Sequence, residues 1–362
     1  MRPEPGTPAP ELLARARLLV APELSAPLVR ELERITGRDA EPLEGVEPLG
    51  RGVPADGPLL CVGATLPDAL RPTAATTADT ATATTTATHT AAATATATAT
   101  PAAAAAATEQ LLWFHSVNAG TDPLLAAGPW PAGALLTRTV GRMGERIAQY
   151  VLGWVLAECQ SVPEYAAQHA RSEWRRLPSE LVAGQTALVY GTGNIGGAVA
   201  GLLRGCGVRT VGVARTARTG EPPAGFDRVI RADEDAEELA GARWVVSALP
   251  LTGATEGFFG TSRFAAVRGA TFVNVGRGAT VDLGALETAL RGGGVRRAVL
   301  DVLAEEPAPP GDPVWRLPRT VITSHSAGIT ADEDVAADFA ACWEAVAAGR
   351  RPELAVDTGR GY

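Results

Sequence analysis

The sequence predicts an α/β protein with two domains, each a doubly wound parallel sheet, and a cleft between them. The chain has 362 residues, more than one hydrophobic core usually serves. From Gln185 onward, short apolar runs alternate with helical or turn segments, the pattern of a parallel sheet with helices on both faces. A glycine-rich turn over 191–196 stands where the first of these strands meets its helix.

The composition excludes several classes of function. The net charge is -8, and the sequence contains no block of basic residues. This argues against a nucleic-acid partner, because phosphates bind clustered positive charge. All 32 basic residues are arginine. The absence of lysine excludes a phosphate-loop lysine, a Schiff base and a pyridoxal phosphate anchor.

Cysteine spacing and hydropathy bear on metal binding and location. The four cysteines lie far apart, without the paired spacing of a zinc site or a redox dithiol. The N-terminal segment lacks the charged and apolar regions of a signal peptide, and no apolar stretch is long enough to cross a bilayer. We therefore expect a cytoplasmic protein with neither a metal nor a membrane partner.

The first part of the chain predicts an α/β unit interrupted by an insertion. Apolar runs at 17–21 and 59–62 predict buried strands, and a helical spacing of apolar residues lies between them at 28–35. From about 72 to 108 the chain is almost only Ala and Thr, which cannot offset the entropy of ordering and predicts a disordered insertion. Order should resume with a strand at 111–114.

A long apolar pattern over 142–159 predicts a helix with a broad apolar face. Its apolar residues are Met143, Ile147, Tyr150, Val151, Trp154 and Val155. A face this broad needs two partners, such as the neighbouring domain and a second subunit. We therefore expect a homodimer that uses this helix.

Six further strands are expected in the second domain. They are Thr186–Tyr190, Thr210–Val213, Trp244–Ala248, Thr271–Val275, Ala298–Val302 and Val321–Thr323. The turn after the first of them has the spacing of a dinucleotide fingerprint, which predicts a Rossmann-like domain. The candidate pyrophosphate contacts are Gly191, Gly193, Asn194, Ile195 and Gly196. The alternative is an ordinary strand-to-helix turn.

The residues after the second strand of this domain indicate which cofactor is bound. An acidic residue there would bind the ribose hydroxyls of NAD, but this chain has Arg215 and Thr216. A guanidinium and a hydroxyl can bind a 2′-phosphate, which a carboxylate would repel. We therefore expect NADP(H) to be preferred, with NAD(H) possible. The alternative is that Arg215 is a solvated charge at a strand end.

Three motifs in the last quarter of the chain carry a family resemblance. They are Asn274-Val275-Gly276-Arg277-Gly278, then Leu300-Asp301-Val302 with Glu306-Pro307, then Thr323-Ser324-His325-Ser326-Ala327-Gly328. Together and in this order they resemble the signatures of the D-isomer-specific 2-hydroxyacid dehydrogenases. The resemblance extends from about Leu111 to the last residues.

The resemblance implies three catalytic residues, and each role has a physical basis. His325 would be the general acid that protonates the carbonyl oxygen of a 2-keto acid as hydride arrives at the carbon. Glu306 would hold the other ring nitrogen and favour the imidazolium. Arg277 would bind the substrate carboxylate and polarise the carbonyl, a role that suits its planar fork.

The resemblance also implies binding residues. The cofactor would contact Leu249, Pro250, Thr255, Val275, Gly276, Arg277, Asp301, His325 and Gly328. Asp301 would meet the nicotinamide end. The substrate carboxylate would bind main-chain amides of Asn118, Ala119 and Gly120, in a loop whose small residues let an anion approach. His115 ends the preceding strand and is expected to be a hydrogen-bonded structural histidine, with pocket lining as the alternative.

Three features depart from the family pattern. Ser324 stands where the family usually has proline, Gln149 replaces a common glutamate, and the Ala/Thr insertion is foreign to the family. The implied domains are a substrate domain from 1–137 and 327–362, and a nucleotide domain from 138–326.

The expected reaction is reduction of a small 2-keto acid, such as glyoxylate or hydroxypyruvate, by NADPH. Two alternatives stay open at this point. One is an NAD-dependent enzyme that resembles 3-phosphoglycerate dehydrogenase, and the other is a non-catalytic dinucleotide sensor that resembles the C-terminal-binding-protein corepressors.

Overall fold

The alternating apolar and helical segments fold into two parallel sheets, each in its own part of the chain. The structure is a computed structural model that describes residues 4–44, 57–72, 111–215 and 221–359. The chain divides into one unit of Met1–Gly141 with Thr330–Tyr362 and a second unit of Arg142–Ile329. The boundaries expected from the sequence lie a few residues earlier. The Ala/Thr tract, apart from Pro72, lies outside the described residues, as does Thr216.

The described residues of the first unit form a five-stranded parallel sheet. Its strands are β1 (Arg17–Val20), β2 (Ala40–Pro42), β3 (Leu59–Gly63), β4 (Leu111–Ser116) and β5 (Leu135–Arg138). They lie in the order β2-β1-β3-β4-β5. Every residue of β3 and β4 is buried, because helices and loops cover both faces of a parallel sheet.

Helices and aromatic packing complete this unit. Its helices are α1 (Pro10–Leu13), α2 (Ala26–Thr36), α3 (Asp122–Ala126) and α10 (Asp332–Ala347). Ser25 caps the start of α2 by accepting a hydrogen bond from the amide of Leu28. Trp113 on β4 stacks on Phe339 of α10, with ring centroids 5.2 Å apart. This packing fixes the strand that leads into the loop over 116–120.

The second unit contains one seven-stranded parallel sheet. Its strands are β6 (Thr186–Tyr190), β7 (Arg209–Ala214), β8 (Arg228–Arg231), β9 (Trp244–Ser247), β10 (Ala270–Asn274), β11 (Val295–Leu300) and β12 (Thr320–Ile322). They lie in the order β12-β11-β10-β9-β6-β7-β8. Chain order therefore reverses between β6 and β9. Ligands of doubly wound sheets bind beyond the carboxyl ends of the strands at such a reversal.

The described residues of this unit form six α-helices. They are α4 (Met143–Cys159), α5 (Val162–Ala170), α6 (Asn194–Gly205), α7 (Ala236–Gly241), α8 (Thr261–Ala266) and α9 (Leu283–Arg291). The apolar stripe predicted over 142–159 forms α4, which packs against α6. The core on one sheet face joins Tyr190, Phe259 and Phe272 through edge-on ring contacts.

The predicted α/β class, two doubly wound parallel sheets, is confirmed. Each strand expected from an apolar run is present, with ends that differ by up to three residues. The strands β2, β5 and β8 were not predicted.

Candidate active site

The glycine turn after β6 has the backbone shape that the fingerprint predicts. Gly191 has φ of 95°, a left-handed conformation that glycine adopts without strain. A Cβ on Gly196 would lie 1.8 Å from the carbonyl oxygen of Gly191, so only glycine lets α6 begin this close to the strand. A Cβ on Gly193 would meet nothing within 4 Å, so the turn is open on that side.

The start of α6 can accept an anion such as a pyrophosphate. The helix has 12 residues, and its first turn carries no acidic side chain. The first amides of a helix have no intrahelical partner and point along the positive end of its dipole. The open glycine side and these amides together fit a dinucleotide pyrophosphate, with Asn194 and Ile195 in the first turn.

The end of β7 carries the residue expected to select the cofactor. Arg215 follows this strand directly and is exposed. It lies at the same edge of the sheet as the glycine turn, because β6 and β7 are parallel neighbours. The partner predicted beside it, Thr216, falls outside the described residues.

The loops after β9 and β10 lie against each other. A Cβ on Gly276 would lie 2.5 Å from the carbonyl oxygen of Leu249, so glycine permits this close approach. The hydroxyl of Thr255 donates to the carbonyl of Pro250 at 2.6 Å, which closes the loop after β9. The predicted cofactor contacts Leu249, Pro250, Thr255, Val275 and Gly276 therefore share one edge of the sheet.

Arg277 lies on a turn that neighbouring side chains hold by hydrogen bonds to its main-chain carbonyl. Asn274 is fully buried, and its side-chain amide donates to the carbonyl of Arg277 at 3.1 Å while its oxygen accepts from Gly276. The hydroxyl of Thr280 donates to the same carbonyl at 2.6 Å. A Cβ on Gly278 would lie 1.8 Å from the carbonyl carbon of Leu303, so this turn presses on the loop after β11.

Glu306 and His325 form the pair that the sequence predicts. Nδ1 of His325 lies 2.7 Å from Oε2 of Glu306. The other carboxylate oxygen of Glu306 accepts the amide of Leu303 at 2.7 Å, which fixes the side chain. A carboxylate on Nδ1 favours a proton there and leaves Nε2 of the ring to face a substrate.

Asp301 is buried and holds the loop that carries His325. Its Oδ1 atom accepts the amides of Ser326 and Ala327 at 2.9 and 3.0 Å, and its main-chain carbonyl accepts the amide of His325 at 2.6 Å. Ser324 and His325 both have left-handed backbones, with φ of 54° and 55°. Proline holds φ near −65°, so the serine that departs from the family pattern adopts a conformation that proline could not.

Gly328 ends the same loop against α4. A Cβ there would lie 2.2 Å from the sulfur of Met143 and 2.9 Å from a side-chain carbon of Ile147. Glycine thus lets the loop lie directly on the helix.

The loop after β4, in the first unit, has one amide already engaged. The amide of Asn118 donates to the hydroxyl oxygen of Ser116 at 3.2 Å. The carbonyl of Ala119 accepts from Arg138 at 3.2 Å. Of the three residues predicted to bind a carboxylate, Ala119 and Gly120 thus have amides that no hydrogen bond within the described residues occupies. Sequence reasoning missed this role of Ser116.

His115 is a structural residue, as expected. It is fully buried, with Nδ1 2.7 Å from the hydroxyl of Thr137 and Nε2 3.1 Å from the hydroxyl of Thr139. Burial lowers the pKa of His115 to about 3, so the ring is neutral at physiological pH.

The three predicted catalytic residues follow three adjacent strands. Arg277 comes after β10, Glu306 after β11 and His325 after β12, and these strands are neighbours in the sheet. The glycine turn, Leu249 and Arg215 follow β6, β9 and β7 at the same edge. Sequence reasoning gave no role to Asn274 or Thr280, although an Asn two residues before a Gly at a strand end is a turn signal that could have indicated one.

In the described ranges no group of three His, Cys, Asp or Glu side chains could hold a metal ion. Across those same ranges no helix has the length and hydropathy needed to cross a bilayer.

The part of the chain that carries these residues also matches a known family. Residues 152–327 match the profile of the "D-isomer specific 2-hydroxyacid dehydrogenase, NAD binding domain". A relative named glyoxylate/hydroxypyruvate reductase A, from Serratia proteamaculans (strain 568), is 32% identical over 254 residues, which cover 68% of this chain and 80% of that protein. The chain therefore belongs to the D-isomer specific 2-hydroxyacid dehydrogenase family, whose members are NAD(P)-dependent oxidoreductases.

Two further similarities extend this result. A Streptomyces coelicolor protein, named "uncharacterized protein in mprR 3'region", is 62% identical over 250 residues, which cover 69% of this chain and 89% of that protein. A crystal structure of a D-isomer specific 2-hydroxyacid dehydrogenase from Xanthobacter autotrophicus Py2, in complex with NADPH and MES, has a TM-score of 0.75 and 26% identity. The similarity covers 96% of this chain and all of that one.

Proposed function

We propose that this protein reduces a small 2-keto acid, of the glyoxylate or hydroxypyruvate class, to the D-2-hydroxy acid with NADPH as the hydride donor. The observation that carries the proposal is the 2.7 Å contact between His325 and Glu306. These residues follow β12 and β11, and Arg277 follows β10, the next strand in the sheet. A guanidinium, a carboxylate and an imidazole are the groups that the reaction requires. The name of the Serratia relative supports the substrate class.

The chain's own residues supply binding and the proton. When bound, the reduced cofactor supplies a hydride to the carbonyl carbon. His325 gives the proton on Nε2 to the carbonyl oxygen, so that the product carries a new C–H bond and a new O–H bond. Glu306 keeps Nδ1 protonated and stabilises the imidazolium before the transfer. Arg277 binds the substrate carboxylate through parallel hydrogen bonds and polarises the carbonyl.

The substrate carboxylate has a second candidate site in the first unit. The amides of Ala119 and Gly120 are proposed to bind it, because small residues let an anion reach the main chain. Asn118 joins them once its amide leaves Ser116.

The preference for NADPH rests on Arg215. An exposed guanidinium at the end of β7 suits a 2′-phosphate, and the strand ends without the carboxylate that would bind the ribose of NAD. The Xanthobacter structure, which contains NADPH, supports this preference. The cofactor is proposed to rest on the glycine turn, on the loops after β9 and β10, and on Asp301 and Gly328.

We also propose a homodimer formed through α4. Gly153, Trp154 and Ala157 line an apolar groove of about 380 Å³ together with residues of α5 and Val321. Large apolar side chains are exposed nearby in the sequence, among them Trp174 at 99% and Leu181 at 83%. Such side chains suit burial against a second copy. A mass of one subunit by light scattering, at micromolar concentration, would refute the dimer.

We propose a cytoplasmic location as well.

The test of the function is a panel of 2-keto acids assayed by loss of NADPH absorbance. Glyoxylate and hydroxypyruvate should be reduced faster than 3-phosphohydroxypyruvate, and the hydroxypyruvate product should be the D-isomer. The His325→Ala variant is the matched control and should bind NADPH but turn over far more slowly. Tight NADPH binding with no turnover of any acid would favour a dinucleotide sensor, and preference for the phosphorylated acid with NADH would favour the phosphoglycerate enzyme.

A further inference from the structure

A chain of hydroxyl groups links α4 to the loop that carries His325. The hydroxyl oxygens of Tyr150 and Thr323 lie 2.7 Å apart, and the hydroxyl of Thr323 lies 2.7 Å from Oδ1 of Asp301. A carboxylate can only accept, so Thr323 donates its one proton to Asp301. Tyr150 must therefore donate to Thr323, and the chain has a single direction.

Tyr150 can act as a donor over the whole working pH range. Burial raises the pKa of Tyr150 to about 12, so its hydroxyl keeps its proton. Its ring meets the ring of Trp154 edge-on, with centroids 6.4 Å apart, and this contact limits its movement. The donor is therefore held in place by its own helix.

The acceptor at the end of the chain organises the catalytic loop. Asp301 is 3% exposed, and its Oδ1 atom accepts from Thr323 and from the amides of Ser326 and Ala327. These bonds bend the loop around one oxygen atom. Ser324 and His325 hold left-handed backbones that non-glycine residues avoid, and these persist only where surrounding contacts determine them.

We propose that Tyr150 and Thr323 are positioning residues: their hydroxyls orient the Asp301 carboxylate, and that carboxylate holds His325 in the place from which it donates its proton. The proposal rests on the proposed role of His325 as the acid. It assigns a function to two side chains that touch neither substrate nor cofactor in the proposed reaction. A mispositioned acid lowers the rate of the chemical step more than it weakens binding.

Kinetics of Tyr150→Phe and Thr323→Val test the proposal, because each change removes one hydroxyl and almost no volume. Each should lower kcat for glyoxylate by about tenfold, the scale of one lost hydrogen bond, and should leave KM and the Kd of NADPH largely unchanged. The double variant should be no slower than Thr323→Val, since both hydroxyls act through one chain. Thr323→Ser keeps the hydroxyl and should restore kcat. Tyr165→Phe and Thr288→Val are matched controls at exposed positions and should match the wild type.

A second measurement reports the loop without turnover. The chain has four histidines, so the ring signals of His325 can be identified in an NMR spectrum by their absence from His325→Asn. In Thr323→Val and Tyr150→Phe these signals should move toward those of a freely solvated imidazole, while the signals of His115 stay in place.

Unchanged ring signals together with wild-type kcat would overturn the proposal, and so would losses that simply add in the double variant. If the wild type reduces no 2-keto acid, the proposed function fails. The NMR comparison still decides whether the two hydroxyls hold the loop.

Discussion

The neutral, buried His115 should make the protein lose stability in mild acid, and replacing it should remove that loss. Thr139 donates its own proton to the carbonyl of Ser116, so its oxygen accepts from Nε2–H of the ring. Trp113 donates to Thr137, whose hydroxyl proton is then directed to Nδ1. A second proton, on Nδ1, would oppose the hydroxyl proton that Thr137 directs there, and the charge would lie on a fully buried ring.

The size of the effect follows from the pKa of the ring in the two states. Burial lowers the pKa of His115 from its ordinary value of 6.5 to about 3 in the folded protein. Between these values the unfolded chain binds the proton and the folded chain does not. The free energy of unfolding is therefore undiminished above pH 6.5 and falls as the pH drops toward 3. At pH 5 the loss is about 2 kcal/mol, because the pH is about 1.5 units below the unfolded pKa.

Urea unfolding of the wild type and of His115→Gln, at pH 7 and at pH 5, measures this loss. Carboxylates titrate in both proteins and contribute to the loss of unfolding free energy in both. Subtracting the loss of the variant from that of the wild type therefore leaves the contribution of His115. The wild type should lose about 2 kcal/mol more than the variant between the two pH values. His169→Gln is the matched control, since His169 is exposed on α5, and it should behave as the wild type does. An equal loss in the wild type and in His115→Gln would refute the reasoning.

Three further predictions concern the proposed reaction. Arg277→Ala should lower kcat/KM for glyoxylate by about 10²–10³-fold while the Kd of NADPH, measured by fluorescence, stays near that of the wild type. His325→Ala should lower kcat by about 10²–10⁴-fold with little change in KM, and a rate near that of the wild type in steady-state assays would remove it from the acid role. Arg215→Asp should weaken NADPH by about tenfold or more and spare NADH, which parallel titrations with the two cofactors would show.

The sequence did not predict three strands, β2, β5 and β8, and all three lie at edges of their sheets. A central strand of a parallel sheet is buried on both faces and therefore forms an uninterrupted apolar run, as in β3, β4 and β9. An edge strand can be exposed on one side and can carry charge, as β2 does at Glu41, whereas β5 was missed although three of its four residues are buried. The strand β8 is Arg-Val-Ile-Arg and has no buried residue, so its composition does not separate it from a loop.

The proximity of the three proposed catalytic residues was predictable for a related reason. Arg277, Glu306 and His325 each follow a strand, and parallel strands bring their carboxyl ends to one edge whatever the length of chain between them. The motifs gave the residues, and the parallel fold supplies their proximity. Glu306 and His325 are 19 positions apart in the sequence, and the pairing of β11 with β12 brings them together.

The contacts that hold those residues in place join parts of the chain that are far apart in sequence, and no motif marks them. Tyr150 reaches Thr323 across 173 positions, and nothing near Tyr150 in the sequence marks it as other than part of an apolar stripe. The same helix packs on Gly328 at the far end of the loop that carries His325. One helix therefore supports that loop at both ends, by a hydroxyl at Thr323 and by direct packing at Gly328. A residue on the face of this helix that meets the loop is therefore constrained by the loop as well as by the core, and the proposed positioning role accounts for a tyrosine at 150.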